Sequence, residues 1–284
     1  MSYATLMVHL DLNQKNDARL TVVGDLAERF NARVIGVAAQ AEIFPPNPAN
    51  YGLGGTPGFI EDDPTAMEYN LAAIKQRLQE AEERFRTTLK GRAKQLEWRS
   101  SLEDPVHYIA SQCRAADLLV IGKTESDERQ EPIAQINPSD LIGRAGRPLL
   151  IIPQHVQTLQ AERILVGWKD TREARRAVSD ALPLLKTSQH VIVCEIDEDE
   201  DPAAAQRRVD DVVAWLANHG VSGAGKVEAL SDGPAIQLEA LAKKESADLL
   251  VAGGFGHGKL REWILGGVTR DLLRQSSCCQ LLAH

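Results

Sequence analysis

The sequence predicts an α/β fold: two repeated, doubly wound domains, each a five-stranded, mostly parallel sheet flanked by helices. Three observations predict it. The two parts of the chain align with one another, short apolar runs alternate with longer helical patterns in the same order in each, and the runs are rich in Val, Ile and Leu. Runs of that composition and length suit strands buried on both faces. The length agrees, since 284 residues suffice for two hydrophobic cores.

The repeat is direct. "AADLLVIGKTESDERQEPIAQINPSDLIGRAGRPLLIIP" (115–153) lies without a gap on "SADLLVAGGFGHGKLREWILGGVTRDLLRQSSCCQLLAH" (246–284), so that Asp117 matches Asp248, Gly122 matches Gly253 and Asp140 matches Asp271. "LMVHLD" (6–11) lies on "ILVGWK" (164–169). A tandem duplication follows, with domains over 1–155 and 156–284.

In chain order, "TLMVHL", "RVIGVAA", "QLEWRSS", "DLLVIG" and "PLLIIP" read as the strands of the first domain. Helical patterns lie near 15–30, 66–94, 105–114 and 132–145. The second domain repeats this with "RILVGW", "HVIVCEI", "KVEALS", "DLLVAGG" and "QLLAH", and with helices near 172–186, 202–219, 234–245 and 260–275. The polar stretch 154–162 is the expected linker. The Pro/Gly-rich stretch 44–65 occurs in the first domain only and is either a surface loop or a lid or interaction segment. The last strand of each half is a short apolar run whose unpaired edge recruits another edge, which leaves self-association through them open.

Composition excludes several classes of function. No apolar run is long enough to span a membrane. A formal net charge of -8 offers no general attraction to nucleic acid or to an anionic membrane, so any anion site is local. The segment "MSYATLMVHLDLN" has no basic stretch before its apolar run, which ends at Asp11, and a cytoplasmic protein is expected. Cys113, Cys194, Cys278 and Cys279 include an adjacent pair and no CxxC, which fits neither a disulfide framework nor a zinc site.

In parallel sheets ligands gather outside the carboxyl ends of the strands, where helix N-termini present unpaired N–H groups. "GGFGHGKLREWILGGVTR" (253–270) follows the fourth strand of the second half. Gly253, Gly254, Gly256 and Gly258 let the backbone approach a ligand and form an anion-binding nest. Gly266 and Gly267 let the next segment close on the same anion, with the Thr269 hydroxyl as a further donor. The competing reading is that these glycines serve only turns and close packing. Two generic motifs fit poorly. "GGFGHGK" matches part of a P-loop, but Leu260 stands where the magnesium-binding hydroxyl belongs, and the glycines have neither the spacing nor the place of a dinucleotide fingerprint.

Gly253-x2-Gly256-x9-Gly266, followed by a small residue and then Val268 and Thr269, resembles the nucleotide-binding signature G-x2-G-x9-G-[S/T] of the universal stress protein family. The resemblance covers nearly the whole chain, twice, and implies the adenine nucleotide alpha hydrolase-like fold, terminal strands of the two halves that face one another, and binding of ATP or another adenine nucleotide, with Mg2+ as a companion ion. Here Gly267 replaces the Ser/Thr of the signature. In the family an acidic residue ending the first strand commonly meets the adenosine; this position holds Lys169, with Asp170 next. The first half keeps the acid as Asp11 but has Glu125, Gln135, Ile136 and Pro138 where the second half has Gly256, Gly266, Gly267 and Thr269. A carboxylate repels phosphate and longer side chains fill its place, so the nucleotide is expected in the second half alone.

Among single residues, His257 and Lys259 either contact phosphate or are solvated, and Arg261 faces solvent. Trp168 either packs on a base or forms an apolar wall, and Asp232 is a turn residue or helix N-cap. His9 and His107 are read as structural. No catalytic triad, metal cluster or carboxylate pair fixes a reaction. Three functions remain: a regulatory, stress-response nucleotide-binding protein with at most weak ATP hydrolysis, a family member acting as a protein-interaction module without nucleotide, and a nucleotide or dinucleotide enzyme.

Overall fold

The computed structural model describes residues 2–41, 64–123, 136–254 and 277–284, the side chains of 64–67 excepted. The first half comprises β1 (Thr5–His9), α1 (Asp17–Phe30), β2 (Arg33–Ala39), α2 (Pro64–Leu89), β3 (Gln95–Ser101), α3 (Pro105–Gln112), β4 (Leu118–Gly122), α4 (Pro138–Ala145) and β5 (Leu149–Ile152). The second comprises β6 (Arg163–Trp168), α5 (Arg172–Leu185), β7 (His190–Asp197), α6 (Pro202–Asn218), β8 (Gly223–Ala229), α7 (Pro234–Lys244), β9 (Leu249–Gly253) and β10 (Cys279–Ala283).

The strands form one ten-stranded sheet in the order β3-β2-β1-β4-β5-β10-β9-β6-β7-β8. Each half therefore has the same internal order, first strand central and fourth beside it. Every pairing is parallel except β5 with β10, which run antiparallel in the register Gln280↔Ile151, Leu281↔Leu150 and Leu282↔Leu149. The edge recruitment expected of the two terminal strands thus occurs within the chain, and the exposed edges of the sheet are β3 and β8.

Both faces are covered, which is why the inner strands are apolar throughout. On one face Leu20, Leu26, Ile74 and Phe85 of α1 and α2 join Ala177, Leu182, Val209 and Leu216 of α5 and α6 in one core that continues across the β5–β10 seam through Leu150 and Leu281. On the other face α3 and α4 pack Ile109, Leu141 and Ile142 on Met7, Leu119 and Ile151, while α7 packs Leu238 on Leu165 and Leu250.

Three details depart from expectation. The linker is not merely polar: Leu159 and Ala161 are fully buried in the shared core, and Arg29 of α1 donates to the Leu159 and Gln160 carbonyls, so the linker is packed structure. The third strand of the second half starts at Gly223, before the expected "KVEALS". The cap position of α7 is held by Gly233, at φ 91°, without a side-chain hydrogen bond, so of the two roles expected for Asp232 the turn holds and the N-cap does not; Asp232 accepts from the Ser231 hydroxyl. The expected helix near 260–275 and the stretch 44–63 lie outside the described residues.

Candidate functional site

The carboxyl ends of β6, β7 and β9 lie side by side in the second half, and the register sets their heights. Gly167 pairs with Ala252, so Lys169 and Gly254 each lie two residues past the same rung. Two of the predicted groups, the basic residue and the first glycines, are thereby brought together.

Gly253 ends β9 beneath the start of α5. A Cβ on Gly253 would lie 2.5 Å from the Ala174 backbone N and 2.8 Å from the Glu173 carbonyl carbon, so only glycine allows this approach. The helix begins at Thr171, whose Oγ1 accepts from the Ala174 N–H at 3.2 Å. Gly254 donates to the Ala283 carbonyl at 2.8 Å, which ties the first step of the glycine-rich stretch to the end of β10.

Lys169 is exposed, and its Nζ donates to both carboxylate oxygens of Glu198, just past β7, at 2.9 Å. Asp170 accepts from Arg175 at 2.5 Å. Both pairs are solvent-screened and contribute little stability, but they set the charge of this end of the sheet. Where the family resemblance expects an acid, the chain presents an ammonium that bridges two strand ends. Below it, Glu195 is buried and held by the Arg208 guanidinium. Trp168 is packed in the core beside α5, its indole N–H buried with no hydrogen-bond partner among the described residues, which fits the apolar wall rather than a surface for a base.

Gly256, His257, Gly258, Lys259, Arg261, Gly266, Gly267, Val268 and Thr269 lie outside the described residues, as do Glu125 and Gln135. Among the described residues no group of three or more His, Cys, Asp or Glu side chains is placed to hold a metal ion. None of the four cysteines is in a disulfide; burial pushes the thiols of Cys113 and Cys194 up to about 12, which makes them poor nucleophiles. No described helix is long and apolar enough to cross a membrane.

The equivalent end of the first half is filled from within. Ile136 is buried against α3 and α4. Pro138 opens α4, and the Asn137 side chain accepts from the Ser139 N–H at 2.9 Å. A proline without an N–H and a side-chain cap thus take up the helix start that an anion would use. Asp11 accepts from the Asn13 N–H at 2.8 Å, and burial raises its pKa against the opposing effects of that hydrogen bond and of Arg19. Sequence reasoning missed Arg19 and read His9 only as structural. Arg19 is the third residue of α1 and donates to the His9 carbonyl, and both side chains are buried.

Comparison with known proteins places this geometry. Residues 160–283 match the model of the universal stress protein family. A universal stress protein from Archaeoglobus fulgidus DSM 4304 has the same fold over 98% of this chain and 95% of that one, with 16% identity and a TM-score of 0.74. A functionally unknown protein from Pseudomonas aeruginosa PAO1 is similar over 99% of this chain and 92% of that one, with 14% identity and a TM-score of 0.58. At these identities the likeness is one of fold. Comparison with curated protein sequences gave no match.

Proposed function

Over residues 160–283 the chain belongs to the universal stress protein family, and on that premise we propose that this half binds ATP or another adenine nucleotide and acts in a stress response as a regulatory module rather than an efficient enzyme. The observation that carries the reading is the seat of Gly253. The first glycine of G-x2-G-x9-G ends the strand beside β6, under the start of α5 and level with Lys169. A glycine-rich segment leaving the sheet there has backbone N–H groups to offer phosphate, and an exposed ammonium favours the same charge.

The described residues fit the phosphate side of such a ligand better than its nucleoside side. Lys169 is a cation within the level of the glycines, whereas no carboxylate stands at position 169 to accept from a ribose; of the neighbouring acids, Asp170 is paired with Arg175 and Glu198 with Lys169 itself. When bound, the nucleotide would supply its own phosphates and a companion Mg2+. The protein's part is to hold them with Gly253, Gly254, Gly256, Gly258, Gly266, Gly267 and Thr269, and to keep Lys169 oriented through Glu198. Asp170, paired to Arg175, fixes the turn into α5. We place the domains at 1–155 and 156–284, with the first lacking the nucleotide, and read the protein as cytoplasmic.

The second reading, a protein-interaction module without nucleotide, is favoured by the Lys169–Glu198 pair, which satisfies both groups with no ligand. Heat extraction of the purified protein separates the two. The nucleotide reading expects an adenine nucleotide in the supernatant in proportion to protein, and an extract free of nucleotide from protein that also fails to bind added ATP would favour the second.

A further inference from the structure

We propose that two copies of this chain join edge to edge through β8, antiparallel about a twofold axis at Val227. This interface involves no residue of the glycine-rich stretch and stands apart from both the nucleotide reading and the β5–β10 seam.

β8 is an open edge. It pairs only with β7, in unbroken parallel register from Gly223 to Ala229, and none of its seven residues is buried. An edge of this kind turns backbone N–H and C=O groups outward and can take a further strand. The usual guards are missing: the register contains no bulge, the strand has no proline, and its opening Gly223-Ala224-Gly225 brings neither bulk nor charge. Gln237 donates to the Ala229 carbonyl at 2.8 Å and clasps the start of α7 to the end of the strand.

The charges on this edge are self-complementary. A Cβ on Gly225 would lie 2.6 Å from Val209 Cγ1, so Gly225 faces α6 and, by alternation, Val227 does too. Lys226 and Glu228 lie on the opposite face, where Lys226 Nζ donates to Glu228 at 2.8 Å and comes within 3.8 Å of Glu245 at the end of α7. A single charge on an edge repels the same edge of a second copy. Opposite charges two residues apart do not, because an antiparallel pairing centred between them sets each against its opposite. With the axis at Val227, Lys226 stands across from the partner's Glu228 and Glu228 across from the partner's Lys226, giving two favourable cross-strand pairs from one contact. The same register sets Leu230, just past the strand, across from the partner's Ala224.

Apolar side chains flank this edge. Trp215 on α6, Leu230 and Ile236 at the start of α7 are all exposed large hydrophobic residues on the elements around β8. The other edge, β3, has its charges engaged within the fold: Glu97 accepts from both Arg33 and Arg99, and Arg99 also donates to Gln112 at 3.0 Å. The second copy therefore fits β8 rather than β3.

Sedimentation of the full chain from micromolar to millimolar concentration, at moderate salt, tests the interface. Wild type should pass from monomer to dimer. Lys226→Glu sets two acids against each other on both sides of the axis and should weaken the dimer about tenfold or more, whereas Lys226→Glu combined with Glu228→Lys restores the cross-strand pairs and should return it to near the wild-type value. A wild type that stays monomeric throughout overturns the proposal, as does a dimer that Lys226→Glu leaves unchanged or that the double exchange fails to restore. Amide hydrogen exchange of wild type at low and high concentration decides the matter even where the variants fail to fold. Protection should rise with concentration in β8 and not in β3, and a rise elsewhere without one in β8 overturns the proposal.

Discussion

His9 shows how one residue sets a pH response for the whole fold. Its ring is buried at the end of β1, and its pKa is lowered well below the usual value, first by burial and then by the Arg19 charge. The unfolded chain takes up a proton there near pH 6.5 and the folded chain does not. The unfolded state thus binds more protons below about pH 6.5, and this residue's effect is to reduce stability as pH falls through that value, by at most ~1.4 kcal/mol per pH unit. Asp11 works in the opposite sense: burial raises its folded pKa, so its effect is to reduce stability as pH rises above its ordinary value near 3.8. Urea denaturation between about pH 7 and 5 should therefore show His9→Gln losing less stability on acidification than wild type, and equal slopes would contradict this account. Sequence reading recorded His9 only as structural and passed over Arg19. Neither role is visible locally, because Gly122, which makes room for the guanidinium, lies more than a hundred residues further along.

At the scale of elements, α5 links the fold to the candidate site. Thr171 caps it, Gly253 lies against its first turn, and Asp170 and Arg175 brace the approach. Thr171→Ala removes the Oγ1 that accepts from Ala174 and should cost about 1 kcal/mol, read as a lower urea midpoint with an unchanged m-value. A midpoint equal to wild type would show that the cap contributes nothing. The strands were legible from sequence because burial on both faces demands runs of Val, Ile and Leu, as "LLVAG" and "RILVGW" display. β8 was misplaced because its opening "GAG" has only the Ala224 methyl to carry a strand signal and none of its seven residues is buried at the sheet edge. Of the two roles offered for Asp232 the turn holds, because Gly233 has the backbone angle the helix start uses and takes the cap position.

For the whole molecule, the antiparallel join of β5 to β10 makes one sheet and one continuous core from two similar halves. That join was implied by the family resemblance, the two apolar terminal runs alone saying only that each edge seeks a partner, whereas the packed linker was not legible, since Leu159 and Ala161 lie in a mainly polar stretch and are buried in the core shared by both halves. Leu281 is fully buried opposite Leu150 at the seam. Leu281→Ala should cost about 2–5 kcal/mol and lower the unfolding transition of both halves together, followed by amide hydrogen exchange in β1 for the first and β6 for the second. A shift confined to the second half would mean that the two cores unfold independently.

The central claim is that the second half holds the nucleotide by its glycine-rich stretch, and calorimetric titration of ATP against wild type and Gly256→Glu tests it most directly. The substitution copies Glu125 of the first half into the second, adding a Cβ and a negative charge where the backbone would approach phosphate. Two charges about 4 Å apart at an effective dielectric near 20 interact by roughly 4 kcal/mol, and a quarter of that already weakens binding several-fold. The account predicts saturable ATP binding by wild type at one site per chain, weakened at least several-fold in a variant whose circular dichroism is unchanged. Equal affinity in the two proteins, or no binding by wild type, would contradict it.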